Sequence, residues 1–368
     1  MTAYRVISAD DHIDLRWLPK DLWTKRLPSK LKKRAPRVVD TDGGPYWVCD
    51  GKQMGPWGAY TAAQGSGNKW ALEVAGVMEE GVLRPTTPEL RLADMDRDGV
   101  DATVMYGPTD PFAIEEPELR RECYRAYDDW LIEFSSAKPD RLVGVAQLCH
   151  EDPAAARDEL ERVAKLGIRH VNVLAARATP PVYEPEWEPF WALAEETGIP
   201  VAFHLAVDTR RVRVQNSAVE RAVFGIMQPM QLMEPIAGLI VTGVLDRHPK
   251  LKLVMAESGL AWIPHVIQSL DNQWTKGKQG RLDRGNVSEL LPSEYFKRQI
   301  WMTFQDDPYG VHMLPLFYED KVMWASDYPH PASTWPYSRE VIDRQLKGIP
   351  ETLRKKLLCD NARALNGL

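Results

Sequence analysis

The chain has 368 residues, enough for two average domains or for one large α/β barrel with insertions. Its 44% hydrophobic and 27% charged residues are those of an ordinary globular protein. A net charge of −6 offers no basic field to nucleic acid or to an anionic membrane, which removes both from the expected partners.

No segment approaches the ~20 apolar residues of a membrane helix, and the N-terminus lacks the charged-then-apolar pattern of a signal peptide, so the expectation is a soluble, cytoplasmic protein. Cys49, Cys123, Cys149 and Cys359 are scattered without CxxC spacing. That argues against a disulfide framework and against a thiolate zinc site, and any metal must be held by nitrogen and oxygen ligands.

In chain order, the first apolar run is YRVISA (Tyr4 to Ala9), followed by DATVMYG (Asp101 to Gly107), RLVGVAQL (Arg141 to Leu148) and IRHVNVL (Ile168 to Leu174). IPVAFH (Ile199 to His204), LKLVMA (Leu251 to Ala256), QIWMTF (Gln299 to Phe304) and KVMWAS (Lys321 to Ser326) complete eight. Most are separated by helical patterns such as PELRLADMDRDG and DPAAARDELERVAKLG, with a long one near Ala218 to Arg247. Near-continuous apolar strands alternating with helices predict parallel strands buried on both faces, and eight such units predict a (β/α)8 TIM barrel. Several helices run into a glycine just before the next strand (DRDGV, AKLGI, EETGI), the expected C-terminal stop.

The stretch from Leu18 to Pro88 breaks this rhythm. Rich in Pro, Gly, Trp and Lys, it reads as a long insertion after the first strand, placed in a barrel over the C-terminal face as a lid. A disordered loop is the plainer alternative, but Trp47, Trp57 and Trp70 argue that part of it packs.

In a barrel the C-terminal strand ends converge on one cavity, so the residues that end each run are the useful ones. Strand one ends in Asp10 and His12, strand three in Cys149 and His150, strand five in His204, strand six in Glu257, and strand eight in Asp327 with His330 close behind. A lone histidine after a strand is most simply structural. Two histidines and three carboxylates on separate strand ends are harder to explain that way, since buried unpaired carboxylates are costly and a divalent cation neutralises several at once. Asp10, His12, His204, Glu257 and Asp327 form an N2O3 set suited to one or two ions of zinc, manganese or iron.

Asp14 is either part of a second metal site or a solvated loop residue, and Asp11 is read as solvated or as a hydrogen-bond partner of His12. His330 is a substrate contact or a cap. His248 and His265 are expected to be structural, and neither His170 nor His312 is favoured as a ligand. Asp306 and Asp307 either touch substrate or cap the following helix. Tyr106, in YGPTDP after strand two, is expected to face the cavity.

ISADDHID resembles the Asp/His-x-His opening of the amidohydrolase superfamily, in the amidohydrolase-related branch that includes aminocarboxymuconate semialdehyde decarboxylase and γ-resorcylate decarboxylase. RHPKLKLVMAESGLAWIPHVIQSLD is similar to that branch's strand-six block and VMWASDYPHP to its strand-eight block. The resemblance implies that Asp10 and His12 fill the two places of the metal-binding His-x-His. It likewise implies that His204 is the strand-five ligand and that Asp327 is the strand-eight carboxylate that holds metal and deprotonates water.

The chain departs from the decarboxylases at Glu257, where they commonly carry a catalytic histidine. A glutamate there could bind a second metal, position a water or act as general base.

The leading expectation is therefore a metal-dependent hydrolase in which metal-activated water attacks a small amide, ester or thioester, with Asp327, Glu257 and His330 as catalytic groups. Nonoxidative decarboxylation of an aromatic or unsaturated acid is the rival. A dinuclear iron or manganese oxygen-activating enzyme and a non-catalytic partner subunit are further alternatives. Expected partners are a small-molecule substrate and other copies of the chain or a related barrel.

Overall fold

The structure is a computed structural model that describes residues 4–42, 44–58, 78–79, 82–108, 114–206, 223, 225–278, 289–330 and 332–368. It divides into two units, Met1–Gln147 with Ala325–Val341 and Leu368, and Leu148–Trp324 with Ile342–Gly367.

The first unit is built on β1 (Ile7–His12), which carries Asp10, Asp11 and His12 inside the strand instead of after it. The insertion follows with α1 (Leu22–Arg26), β2 (Arg37–Thr41), β3 (Gly44–Cys49), β4 (Lys52–Pro56) and the short pair β5 (Met78–Glu79) and β6 (Val82–Leu83). Then come α2 (Pro88–Asp98), β7 (Ala102–Tyr106), α3 (Pro117–Ser136), β8 (Leu142–Gly144) and β9 (Ala146–Gln147). β1 pairs in parallel with β7, and β7 with β8.

The β1–β7 register shifts between Ser8 and Asp11. The strand therefore runs on past the apolar residues to its charged ones. Ser326–Tyr328 is also bonded to β1: the Asp327 N–H donates to the Asp10 carbonyl (3.0 Å) and the His12 N–H to the Tyr328 carbonyl (2.7 Å).

In the insertion, β2, β3 and β4 form an antiparallel sheet that the composition did not announce. The sequence does hold its turn: Asp50 (φ +47°) and Gly51 (φ +77°) are the two-residue Asp-Gly hairpin connection, closed by the Cys49–Lys52 pair. Trp47 is fully buried, packs edge-on against Trp23 at 4.8 Å and donates from Nε1 to the Leu15 carbonyl (2.7 Å). Trp57 donates to the Leu18 carbonyl (2.7 Å). Trp70 lies outside the described residues.

α2 inverts the usual pattern of a surface helix. Arg91, Asp94, Met95 and Asp98 are its buried residues, three of them charged, while Gly99 (φ +73°) stops it as the sequence predicts.

The second unit carries α4 (Pro153–Lys165), β10 (Val171–Asn172), α5 (Glu188–Thr197), β11 (Val201–His204), α6 (Met233–Val241), α7 (Val244–Arg247) and β12 (Leu253–Ala256). It continues with α8 (Ile263–Lys278), α9 (Pro292–Gln299), β13 (Ile300–Phe304), α10 (Pro308–Met313) and β14 (Val322–Trp324). β10 to β14 pair side by side in chain order, all parallel. Trp187, Phe190, Trp191 and Phe203 form an aromatic cluster in its core. Gly198 (φ +67°) ends α5 where EETGI predicts. Of the long helical pattern near Ala218 to Arg247, residues 218–222 and 224 lie outside the described residues, and α6 and α7 make up the rest with a 3-10 turn at Gln228–Leu232.

The C-terminal elements are α11 (Ser338–Gln345), α12 (Glu351–Lys355) and α13 (Asn361–Asn366).

Candidate metal centre

In the first unit, Asp10, His12 and Asp327 meet with side chains wholly shielded from solvent. His12 Nε2 lies 3.6 Å from Asp10 Oδ1 and 3.0 Å from Asp327 Oδ1. Asp10 and His12 share a strand face at spacing two, and the Ser326–Tyr328 segment brings Asp327 to them. Asp327 Oδ2 is sealed from solvent with no hydrogen-bond partner among the described residues. Two buried carboxylates around one imidazole nitrogen, one of them with an oxygen unused, are a donor set that fits a hard or borderline divalent cation.

His330 completes this group and does not point away from it. Its ring stacks on that of His12 with centroids 3.7 Å apart. Nδ1 lies 2.9 Å from Asp327 Oδ1, and Nε2 lies 2.8 Å from Asp14 Oδ2. Burial opposes a charge on His330, but the Asp327 and Asp14 carboxylates outweigh it and hold the imidazole protonated well above the ordinary histidine range. For Asp327 and Asp14 burial likewise opposes ionisation, and His330 turns the balance, so both stay below the ordinary carboxylate range. Ligand atoms of His12, Asp14 and His330 lie within 4.8 Å of one another.

The second unit places His204 at the end of β11 and Glu257 just after β12. The His204 N–H donates to Asn172 Oδ1 (3.1 Å), and Nδ1 faces the Leu205 carbonyl at 2.6 Å. A proton on Nδ1 makes Nε2, which is 3.6 Å from Glu257 Oε2, the lone-pair nitrogen. The Glu257 N–H donates to Thr303 Oγ1 (2.7 Å).

Glu257 (φ +53°), Asp327 (φ +63°) and Asp50 are the non-glycine residues with positive φ among the described ones. Two of the three are the carboxylates at the ends of the sixth and eighth barrel strands. Asp tolerates this backbone, whereas glutamate avoids it, and left-handed backbone at Glu257 is of the kind found at functional sites held by their surroundings.

Asp11 turns away from His12. It accepts hydrogen bonds from Ser8, Ser326 and Thr103 hydroxyls and from the Tyr328 N–H, with Arg91 Nη2 at 3.7 Å. Burial pushes its pKa up to about 6, against Arg91 and the three hydroxyls. The ring of Tyr106 stands 6.5 Å from that of His12; Thr109, Asp110 and Pro111, which end YGPTDP, lie outside the described residues.

Asp307 caps α10 through the Gly310 N–H and also accepts from Leu260 N–H, and Asp306 pairs with Arg344. His150 is buried with Nε2 3.8 Å from Glu151. His248 sits between Glu188 and Glu195, His170 bonds Asn366, and His265 and His312 are exposed on α8 and α10. Sequence reading passed over Arg91, Thr303 and Ser326, which bond to the backbone or carboxylates around the group. The available signal was three ionisable residues at i, i+3 and i+7 in RLADMDRD, on the face that should have been apolar.

Comparison with known proteins identifies relatives of this chain and of its fold. γ-Resorcylate decarboxylase from Rhizobium sp. (strain MTP-10005) is 24% identical over 292 residues, 73% of this chain and 86% of that protein. An amidohydrolase from Mycobacterium avium subsp. paratuberculosis K-10 superposes with a TM-score of 0.77 at 22% identity, covering 100% of this chain and 99% of the other. 5-Carboxyvanillate decarboxylase from Novosphingobium aromaticivorans DSM 12444, solved with manganese and 4-hydroxy-3-methoxy-5-nitrobenzoic acid, gives 0.68 at 20% identity, covering 100% and 97%. These likenesses show the fold to be of the α/β TIM-barrel class. The family profile described as amidohydrolase matches residues 37–368, and this chain belongs to that family.

Proposed function

We propose that this chain is a metal-dependent, nonoxidative decarboxylase of a small aromatic acid, with manganese or another divalent ion as cofactor. In this reading Asp10, His12 and Asp327 hold the ion, and His204 resembles the family's strand-five ligand. The bound ion would supply Lewis-acid attraction for the substrate's carboxylate and a neighbouring oxygen.

The observation that carries the reading is the placement of His330. Nonoxidative decarboxylation exchanges a C–CO2− bond for C–H, so one proton must reach carbon as carbon dioxide departs. The absence of a strand-six histidine counts against this reaction only if no other acid is at hand. His330, bonded at both nitrogens to carboxylates and stacked on His12, is a proton donor beside the ligand group. Asp14, at Nε2, is placed to return the proton after turnover. The relatives named as decarboxylases support the same chemistry.

Hydrolysis remains the second reading because of Glu257, a carboxylate where the family resemblance implies a histidine in the decarboxylases. The deciding experiment incubates the manganese-loaded protein with hydroxybenzoates, amides, esters and thioesters in D2O and in H2(18)O. Carbon dioxide release with one deuterium on the vacated ring carbon is expected. Solvent oxygen appearing in a carbonyl product, without carbon dioxide, would replace the decarboxylase by the hydrolase.

A further inference from the structure

α2 sends a fully buried arginine into the backbone that carries the ligand group. Arg91 Nη1 donates to the His12 carbonyl (2.9 Å) and to the Pro85 carbonyl (3.3 Å), and Nη2 lies 3.7 Å from Asp11 Oδ2. The guanidinium carbon sits 5.1 Å from the centroid of the Tyr328 ring. Tyr328 is fixed in turn by its hydroxyl, which donates to Asp94 Oδ2 (2.6 Å) one turn along α2, and by its N–H, which donates to Asp11 (3.0 Å). One side chain thus touches His12 itself, the residue before it, and the residue after Asp327.

A buried arginine needs a strong reason. Among the described residues its Nε and Nη2 make no hydrogen bond, and its Asp11 carboxylate partner stands at 3.7 Å. Cations buried in that way contribute little net stability compared with an apolar side chain of similar volume. What the planar fork supplies is geometry: a fixed spacing between the β1 carbonyl and the face of Tyr328 that a methionine could not set and a flexible lysine could set only in part.

We infer that Arg91 is a positioning residue of the candidate metal centre, holding His12 on β1 and the Asp327-Tyr328 peptide in one register. The inference rests on the metal-binding reading above. It makes no claim that Arg91 touches substrate or ion.

The test measures manganese affinity by chelator competition and the melting temperature of the metal-free protein, for wild type, Arg91→Met, Arg91→Lys and Asp98→Asn. Asp98 is the control: on the same helix face, among the described residues it accepts hydrogen bonds from Ser338 (2.9 Å from N, 2.5 Å from Oγ) and none from β1, so its loss reports stability without disturbing β1. We expect Arg91→Met to weaken manganese binding about 10- to 100-fold, the range seen when groups that orient metal ligands are removed. Arg91→Lys should recover part of that loss, and Asp98→Asn should lower only the melting temperature.

Wild-type manganese affinity in folded Arg91→Met would overturn the inference and leave the metal site standing. If Arg91→Met does not fold, Arg91→Lys decides, and an unchanged affinity there overturns it equally. A wild-type protein that takes up no manganese would instead overturn the metal-binding reading and this inference with it.

Discussion

At the scale of single residues, the proposed function assigns Asp327 as a ligand and His330 as the acid, and substitution separates the two roles. Asp327→Asn keeps a side chain that tolerates left-handed backbone but loses the charge, and bound manganese should fall severely by elemental analysis of the dialysed protein. His330→Gln should leave manganese bound while carbon dioxide release drops by about 10²- to 10⁴-fold, the usual contribution of a positioned acid. Equal loss of metal in both variants would make His330 a ligand instead. Asp10, His12 and Asp327 were legible because strand ends converge in a barrel. The position of His330 was not, since six residues beyond a strand can turn in any direction. Here it is fixed by Asp14, which lies 316 positions earlier in the chain. Asp11 was misread for a related reason: adjacent residues on a strand face opposite ways, so the acid next to His12 serves the other side.

At the scale of elements, all eight predicted strands exist, though the third is split into β8 and β9 and the fourth shortens to two residues. Apolar runs reveal buried parallel strands well because both faces are covered. They say nothing of the β2–β4 sheet, whose strands are largely half-exposed and polar. Its tie to the rest of the first unit is Trp47, and Trp47→Ala should cost about 3 to 5 kcal/mol in urea unfolding, as deletions of large buried aromatics do. A second tie joins α5 to α7 and the residue after it. Arg247 makes a two-pronged ion pair with Glu188, which also meets His248. The bonds from Arg247 outweigh partial burial and depress the Glu188 pKa. A depressed carboxylate stabilises the fold above its unfolded value, about 4.3, and loses that contribution as pH falls through the folded value. Glu188→Gln should therefore reduce melting temperature at neutral pH and shrink the difference from wild type in acid; a constant difference across pH would contradict this.

At the scale of the whole molecule, metal binding and folding are linked. An ion that binds only the folded chain adds about 2.7 kcal/mol at one hundred times its dissociation constant, so the melting temperature should rise with free manganese and fall on chelation. A melting temperature indifferent to manganese would count against tight binding. A separate cost falls on Glu257, whose backbone is left-handed. Conformations of that kind cost on the order of 1 kcal/mol each in residues that avoid them. That cost serves no packing need, and selection for heat tolerance alone would remove it. Asparagine at position 257 accepts the left-handed backbone more readily than glutamate, and Glu257→Asn should melt no lower than wild type without metal. A directed-evolution experiment scored only on thermal survival should accumulate changes at Glu257, and the products that carry them should be among its least active.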